Sequence, residues 1–263
     1  MWELVSNSIY AGFLISIAIG IIGSLIVINK ATSITGSIAH ASFGGIGIGI
    51  FLNINILLST TIFTILITLI LAFITLKYKH RKDSLIGVIW ALGMSIGIIF
   101  LNLTPGYNSD ALSYLFGNIL LIQNNDLYVM ALIDVVLIIS IIFLYNRFLA
   151  MSYDFEFLKV KGVNISLLYT YFLVLTSLVV VMSVRAIGII LILALFTIPS
   201  LIAEKFTNRL YKMMILSAIL AFIFINSGIF ISYYFDLSPT PIIVVISVLV
   251  LFLSLLIFDN KKL

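Results

Sequence analysis

The chain has 263 residues, of which 63% are hydrophobic and 9% charged, and its mean hydropathy is +1.30. Soluble domains carry about 25% charged residues because their surface faces water, so a water-soluble globule is excluded. The net charge of +4 comes from basic residues scattered over short loops, whereas a nucleic-acid-binding face needs them gathered on one surface. The absence of Cys removes disulfides and thiolate metal sites.

The first apolar run, 8–29, follows a segment that holds Glu3 but no Lys or Arg. Without a positive n-region it reads as a retained membrane span, not a signal peptide. Eight more apolar stretches follow, at roughly 38–54, 57–76, 84–102, 126–146, 164–183, 186–203, 213–235 and 241–258. Most approach the ~20 residues that take a helix across ~30 Å of hydrocarbon. The second and seventh are short and flanked by Gly or Pro, which leaves room for a tilt or a break. The stretch 112–123 is apolar over only about a dozen residues and suits a re-entrant or interfacial helix. No repeat or composition shift marks a second domain. The expectation is an all-α, polytopic transmembrane bundle of about nine spans, forming one domain over 1–263.

Loop charge orients the spans. Lys77, Lys79, Arg81 and Lys82 crowd one loop, Arg147, Lys159 and Lys161 a second, and Lys205, Arg209 and Lys212 a third. Positive loops face the cytoplasm, so these lie inside, together with Lys261 and Lys262 at the C-terminus. The stretches 102–126 and 236–240 then lie outside, as does the N-terminus. Arg185, in the turn between the sixth and seventh spans, falls on the wrong side of this scheme.

The chain has no Walker A pattern, no His-Glu-x-x-His pair and no nucleophile elbow, and its two His are His40 and His80. An enzyme is not expected. The run from Ser37 to Gly49 places glycines two or three apart, which lets another backbone approach closely. His40, at the start of that span, is a candidate metal ligand or a carbonyl-bonded interfacial group. Thr104-Pro105-Gly106 opens a turn whose Asp110, with Asp126 beyond it, could attract a cation from outside. Pro199 is expected to stop or bend the seventh span. The segment 204–214 then reads as an amphipathic basic helix, a lipid anchor or a docking element for a cytoplasmic protein. Asp134, deep in the fifth span, is either a functional group or bonded to a neighbouring hydroxyl.

At these residues the chain resembles the permease subunits of ABC importers for zinc, manganese or iron, a type II importer architecture. Ala39-His40-Ala41-Ser42-Phe43-Gly44-Gly45 resembles that family's His-Ala-x-x-x-Gly signature. Ser113-Tyr114-Leu115-Phe116-Gly117-Asn118 is similar to its external segment, and Gly188, Ile198-Pro199 and the basic residues after them to its core. Tyr153-Asp154-Phe155-Glu156 leading to Gly162-Val163 matches its cytoplasmic loop. The resemblance implies a homodimeric pore in the cell membrane, carrying a divalent metal with no permanently bound cofactor. It also implies an external metal-binding protein and a cytoplasmic ATPase that alone handles ATP and docks around Glu204, Lys205, Arg209 and Lys212. His40 corresponds to the family's metal-contacting His, with Asp134 a candidate companion. Many members carry Asp four residues before that His, and here the position is Gly36. The alternatives are an ABC permease for another small nutrient, or an ion-coupled secondary carrier using Asp134.

Overall fold

The computed structural model describes residues 2–78, 81–105, 115–153 and 155–259. Among these residues, nine helices are long and apolar enough to cross a membrane. Helix α1 runs from Trp2–Ala18 through a π-helical turn, Ile19–Gly23, into Ser24–Ile28. It is followed by α2 (Thr32–Phe51), α3 (Ile56–Lys77), α4 (Lys82–Leu103) and α5 (Asn124–Tyr153). A short α6 (Phe155–Val160) precedes α7 (Ile165–Ile187), α8 (Ile189–Phe206), α9 (Leu210–Phe235) and α10 (Pro239–Asp259).

Local chemistry sets the ends. Asn55 and Asn164 are N-caps whose side-chain oxygens accept from Leu58 N and Leu167 N, satisfying donors that a first turn leaves open. Gly188, at φ +75°, separates α7 from α8. The loops fall at two ends of the bundle. One end pairs Asn7 with Asn124 and Asp126 with Arg185; the other, which holds the Lys/Arg-rich loops, pairs Asn29 with Ser152 and Tyr145 with Tyr211. The second is called the basic end below.

Four expectations change. Helix α2 starts at Thr32, not 38, and is unbroken. Its polar first turns defeat a hydropathy reading, but Thr35 and Ser37 are fully buried and bonded to Ala31 O and Ile86 O. Pro199 lies inside α8, which continues to Phe206. The irregular span is the first, at its π turn. Residues 204–214 are not one helix, since α8 ends at Phe206 and Thr207 and Arg209 are extended before α9 begins. Of the segment 112–123, residues 112–114 lie outside the described residues. The rest is not one continuous helix: residues 115–116 are helical, the chain turns at Gly117, forms a 3-10 turn at Ile119–Leu121 and buries Ile119 and Ile122. It is a wedge that packs on α1 and α7.

The glycine-rich stretch of α2 works as its spacing suggests. Helix α2 packs most extensively on α4 and α3. A Cβ at Gly47 would lie 2.4 Å from Gly97 O, and one at Gly93 2.4 Å from Ala41 Cα. Lipid supplies no hydrophobic drive between helices, so this close van der Waals packing is what joins them. On α3, the hydroxyls of Thr60, Thr64, Thr68 and Thr75 each donate to the carbonyl four residues back, which leaves the stripe free to pack. Gly47→Ala is expected to destabilise the protein by about 1–3 kcal/mol through overpacking. Gly87→Ala, whose Cβ would meet nothing within 4 Å, should be silent. Thermal unfolding in detergent compares the two, and equal melting would refute the close-packing account.

Candidate functional site

At the end opposite the basic loops lies a cleft of ≈ 510 Å³. Its polar lining comes from three stretches of chain: Asn55 and Thr60 around the start of α3, Gln123 and Asp126 around the start of α5, and Arg185 near the end of α7. Asp126 is buried, and one carboxylate oxygen accepts from the Arg185 guanidinium in a salt bridge. The other accepts from Gln123 N at 3.0 Å, and the carboxylate sits in the first turn of α5, where the helix dipole favours negative charge. The pair accounts for Arg185, the exception to the loop-charge scheme. It also means that Asp126 does not offer an uncompensated charge at the mouth. Asp110, the other expected entrance residue, lies outside the described residues.

Beside the pair, two backbone turns interlock. Gly117 (φ +71°) and Gly188 (φ +75°) face each other so closely that a Cβ at Gly117 would lie 2.2 Å from Gly188 N. Asn118 N also donates to Arg185 O at 3.5 Å. The stretch 115–118 and the Gly188 turn, separate motifs in the sequence, are thus one piece of structure. The neutral polar residues Asn55, Thr60 and Gln123 carried no signal in the sequence, because each is an ordinary helix-end or loop residue until the fold gathers them.

His40 is not at a helix entrance. It lies eight residues into α2, about 12 Å along a helix about 30 Å long. Its ring stacks on Trp90 of α4, with centroids 4.3 Å apart and planes at 19°. The Nδ1 atom is buried and has no hydrogen-bond partner among the described residues. One turn back, a side chain at Gly36 would point at Leu193 of α8, with Cδ1 2.9 Å away. A leucine methyl therefore occupies the space next to the position where the resembled family carries its acid.

Asp134 sits on the buried stripe of α5 with Asp126, Met130 and Leu137. It is 3% exposed, and neither carboxylate oxygen has a partner among the described residues. It is not bonded to a neighbouring hydroxyl. Helix α5 packs on α1 and α7, while α2, which carries His40, packs on α3, α4, α7 and α8. No group of three or more His, Asp or Glu able to hold a metal occurs among the described residues.

At the basic end, Glu204 and Lys205 close α8, while Arg209 and Lys212 open α9. Glu204, Arg209 and Lys212 are exposed, and Arg209 Nη1 donates to the Tyr211 hydroxyl at 3.2 Å. The same end carries α6, which leaves Phe157 45% and Val160 88% exposed in a loop between spans.

Nine apolar helices, polar residues gathered at one mouth, and a His and an Asp buried without hydrogen-bond partners, all among the described residues, are the build of a multi-pass membrane transporter. Residues 1–258 match the model of the ABC 3 transport family, and the chain belongs to that family. It is 34% identical to a protein of Chlamydia trachomatis named "Probable metal transport system membrane protein", over 92% of this chain and 85% of that one. It is 26% identical to the manganese transport system membrane protein MntC of Listeria monocytogenes, over 97% and 91% of the two chains. It is 28% identical to the high-affinity zinc uptake system membrane protein ZnuB of Buchnera aphidicola (strain Sg), over 97% and 98%. The structure of PsaBC from Streptococcus pneumoniae in complex with Fab shares the fold, with a TM-score of 0.86, 24% identity and coverage of 96% and 91%. The chain is thus a membrane-embedded ABC transporter permease of the metal type.

Proposed function

We propose that this chain forms the path of an importer for a divalent transition metal, zinc, manganese or iron. Two copies enclose the path, with the N-termini outside and the basic end in the cytoplasm. A separate ATPase supplies the energy, and an external metal-binding protein delivers the cargo. The observation that carries this reading is His40. A neutral imidazole is a common transition-metal ligand, and a buried Nδ1 with no partner among the described residues is a donor atom available to a metal. Stacking on Trp90 fixes the ring plane, which pre-orients the nitrogen lone pair. With Gly36 in place of the family's acid, this chain supplies fewer charged ligands than the resembled family, and Asp134 belongs to another part of the bundle.

The ATPase contact is assigned to the basic end, where Glu204, Lys205, Arg209 and Lys212 line one loop. Helix α6 is added to it on physical grounds. Phe157 and Val160, exposed together on one short helix outside the spans, form an apolar patch of the kind that a protein partner covers.

The test is metal uptake by the complex of this chain with its ATPase and binding protein in a metal-depleted host. His40→Ala is expected to lower uptake about tenfold or more, the scale of a lost metal-site interaction, while the complex still assembles. Normal uptake would remove His40 from the path. The buried, unpartnered Asp134 favours one other reading, an ion-coupled carrier. That reading requires uptake without any ATPase and its loss in Asp134→Asn.

A further inference from the structure

The basic end holds a second kind of site, on the lipid-facing surface and not in the interior. A groove of ≈ 450 Å³ lies between the last turns of α5 and the loop into α7, with Leu144, Arg147, Lys161, Asn164 and Leu167 in its lining. Arg147 is exposed, and among the described residues no carboxylate pairs with it. The Lys161 ammonium lies 4.7 Å from the centre of the Phe157 ring, which holds it at the groove's rim. Asn164 uses its side-chain oxygen to cap α7, and among the described residues its amide nitrogen bonds none, so that donor faces a ligand. Among the described residues, no acidic one lines the groove.

The groove does not end at these polar groups. A second trough of ≈ 450 Å³ shares Asn164, Leu167 and Tyr171 with it and continues along α7 past Thr170 to Val174. From Asn164 to Val174 is about 15 Å of helix. The Tyr171 hydroxyl is bonded to Ser140 Oγ at 2.7 Å, which ties α7 to α5 beneath the trough. The combined site asks for an anionic head with several acceptor oxygens, joined to an apolar tail that lies against a helix inside the membrane. A zwitterionic head would bring its own cation to two cations, with no carboxylate among the described lining residues to receive it. Free phosphate would satisfy the head but leave the trough empty.

We propose that this groove holds an anionic phospholipid, its headgroup on Arg147 and Lys161 and an acyl chain along α7. Basic pockets between helices at the membrane edge are a known setting for such heads, and each basic side chain near the surface contributes about 1 kcal/mol. The orientation proposed above enters only in assigning the lipid to the cytoplasmic leaflet. The binding itself does not depend on transport, so a failed uptake test would leave it standing.

The full chain, reconstituted in nanodiscs of phosphatidylcholine with a minor share of phosphatidylglycerol, is the sample. Co-purified lipid is then measured by native mass spectrometry. The wild type is expected to retain phosphatidylglycerol in excess of its share. Arg147→Gln with Lys161→Gln is expected to reduce that preference roughly 30-fold, about 2 kcal/mol at 1.4 kcal/mol per decade. Arg81→Gln with Lys82→Gln, exposed basic residues outside the groove, should leave it unchanged. An equal loss in both double variants, or none in the first, overturns the proposal. So does displacement of the lipid by millimolar inorganic phosphate, which would mark a simple anion site, or by the ATPase subunit, which would mark the groove as its seat.

Discussion

Replacing Gly188 with valine is expected to leave little folded protein to purify, and replacing it with alanine to cost about 4 kcal/mol. Two penalties fall on one atom. Gly188 has φ +75° and ψ 160°, a region that is essentially Gly-only, where a Cβ costs about 1–3 kcal/mol. That Cβ would also lie 2.3 Å from the carbonyl carbon of Phe116, a backbone atom that cannot rotate away. Overpacking of this kind adds about 1–3 kcal/mol. Against a total stability of about 5–15 kcal/mol, the sum is enough to empty the native state of a weakly stable fold. Gly162→Ala separates the two penalties, because Gly162 also has positive φ (+68°) but nothing lies within 4 Å of its Cβ position. It should lower the melting temperature in detergent by much less than Gly188→Ala. If the two shifts are equal, the clasp between the 115–118 wedge and the α7–α8 turn contributes nothing.

That clasp also shows where the sequence is readable and where it is not. The bilayer forces each span to be apolar over about 20 residues, so composition alone locates nearly all of them. It fails at the start of α2, because Thr35 and Ser37 are polar in sequence yet fully buried and bonded in the bundle. As a result His40 reads as a helix-entrance residue when it lies near mid-depth. The segment 204–214 misleads for another reason. The basic end of one helix and the start of the next, joined by Thr207–Arg209, show the same alternation of charge and apolar groups as one surface helix. The cleft was the least legible part. Asp126 and Arg185 are 59 residues apart, and local pattern cannot pair them. The one available signal was Arg185 itself, the positive charge that the loop-charge scheme leaves among its outer loops. A basic residue that breaks that rule needs a partner, and a buried acid at the same end supplies one.

Removing that partner is the second large effect. Arg185→Ala is expected to destabilise the protein by about 3 kcal/mol. This is the lower end of the roughly 3–5 kcal/mol that follows when one member of a buried pair is lost. The lower end applies because the Arg185 side chain is 38% exposed and the adjoining cleft lets water reach the orphaned carboxylate. Asp126→Ala removes the buried charge instead, leaving a guanidinium that can turn to solvent, so its cost should be smaller. The double variant should be more stable than Arg185→Ala alone, since the penalty lies in the unpaired acid and not in the missing contact. Thermal or denaturant unfolding of the four proteins in a double-mutant cycle measures this coupling. A topological explanation predicts the opposite sign. Deleting Arg185 removes the one charge that violates the loop rule, so insertion in the membrane should improve. A loss of stability with unimpaired insertion would therefore assign the role of Arg185 to Asp126 alone. Additive single effects in the cycle would show that the salt bridge is a contact without consequence.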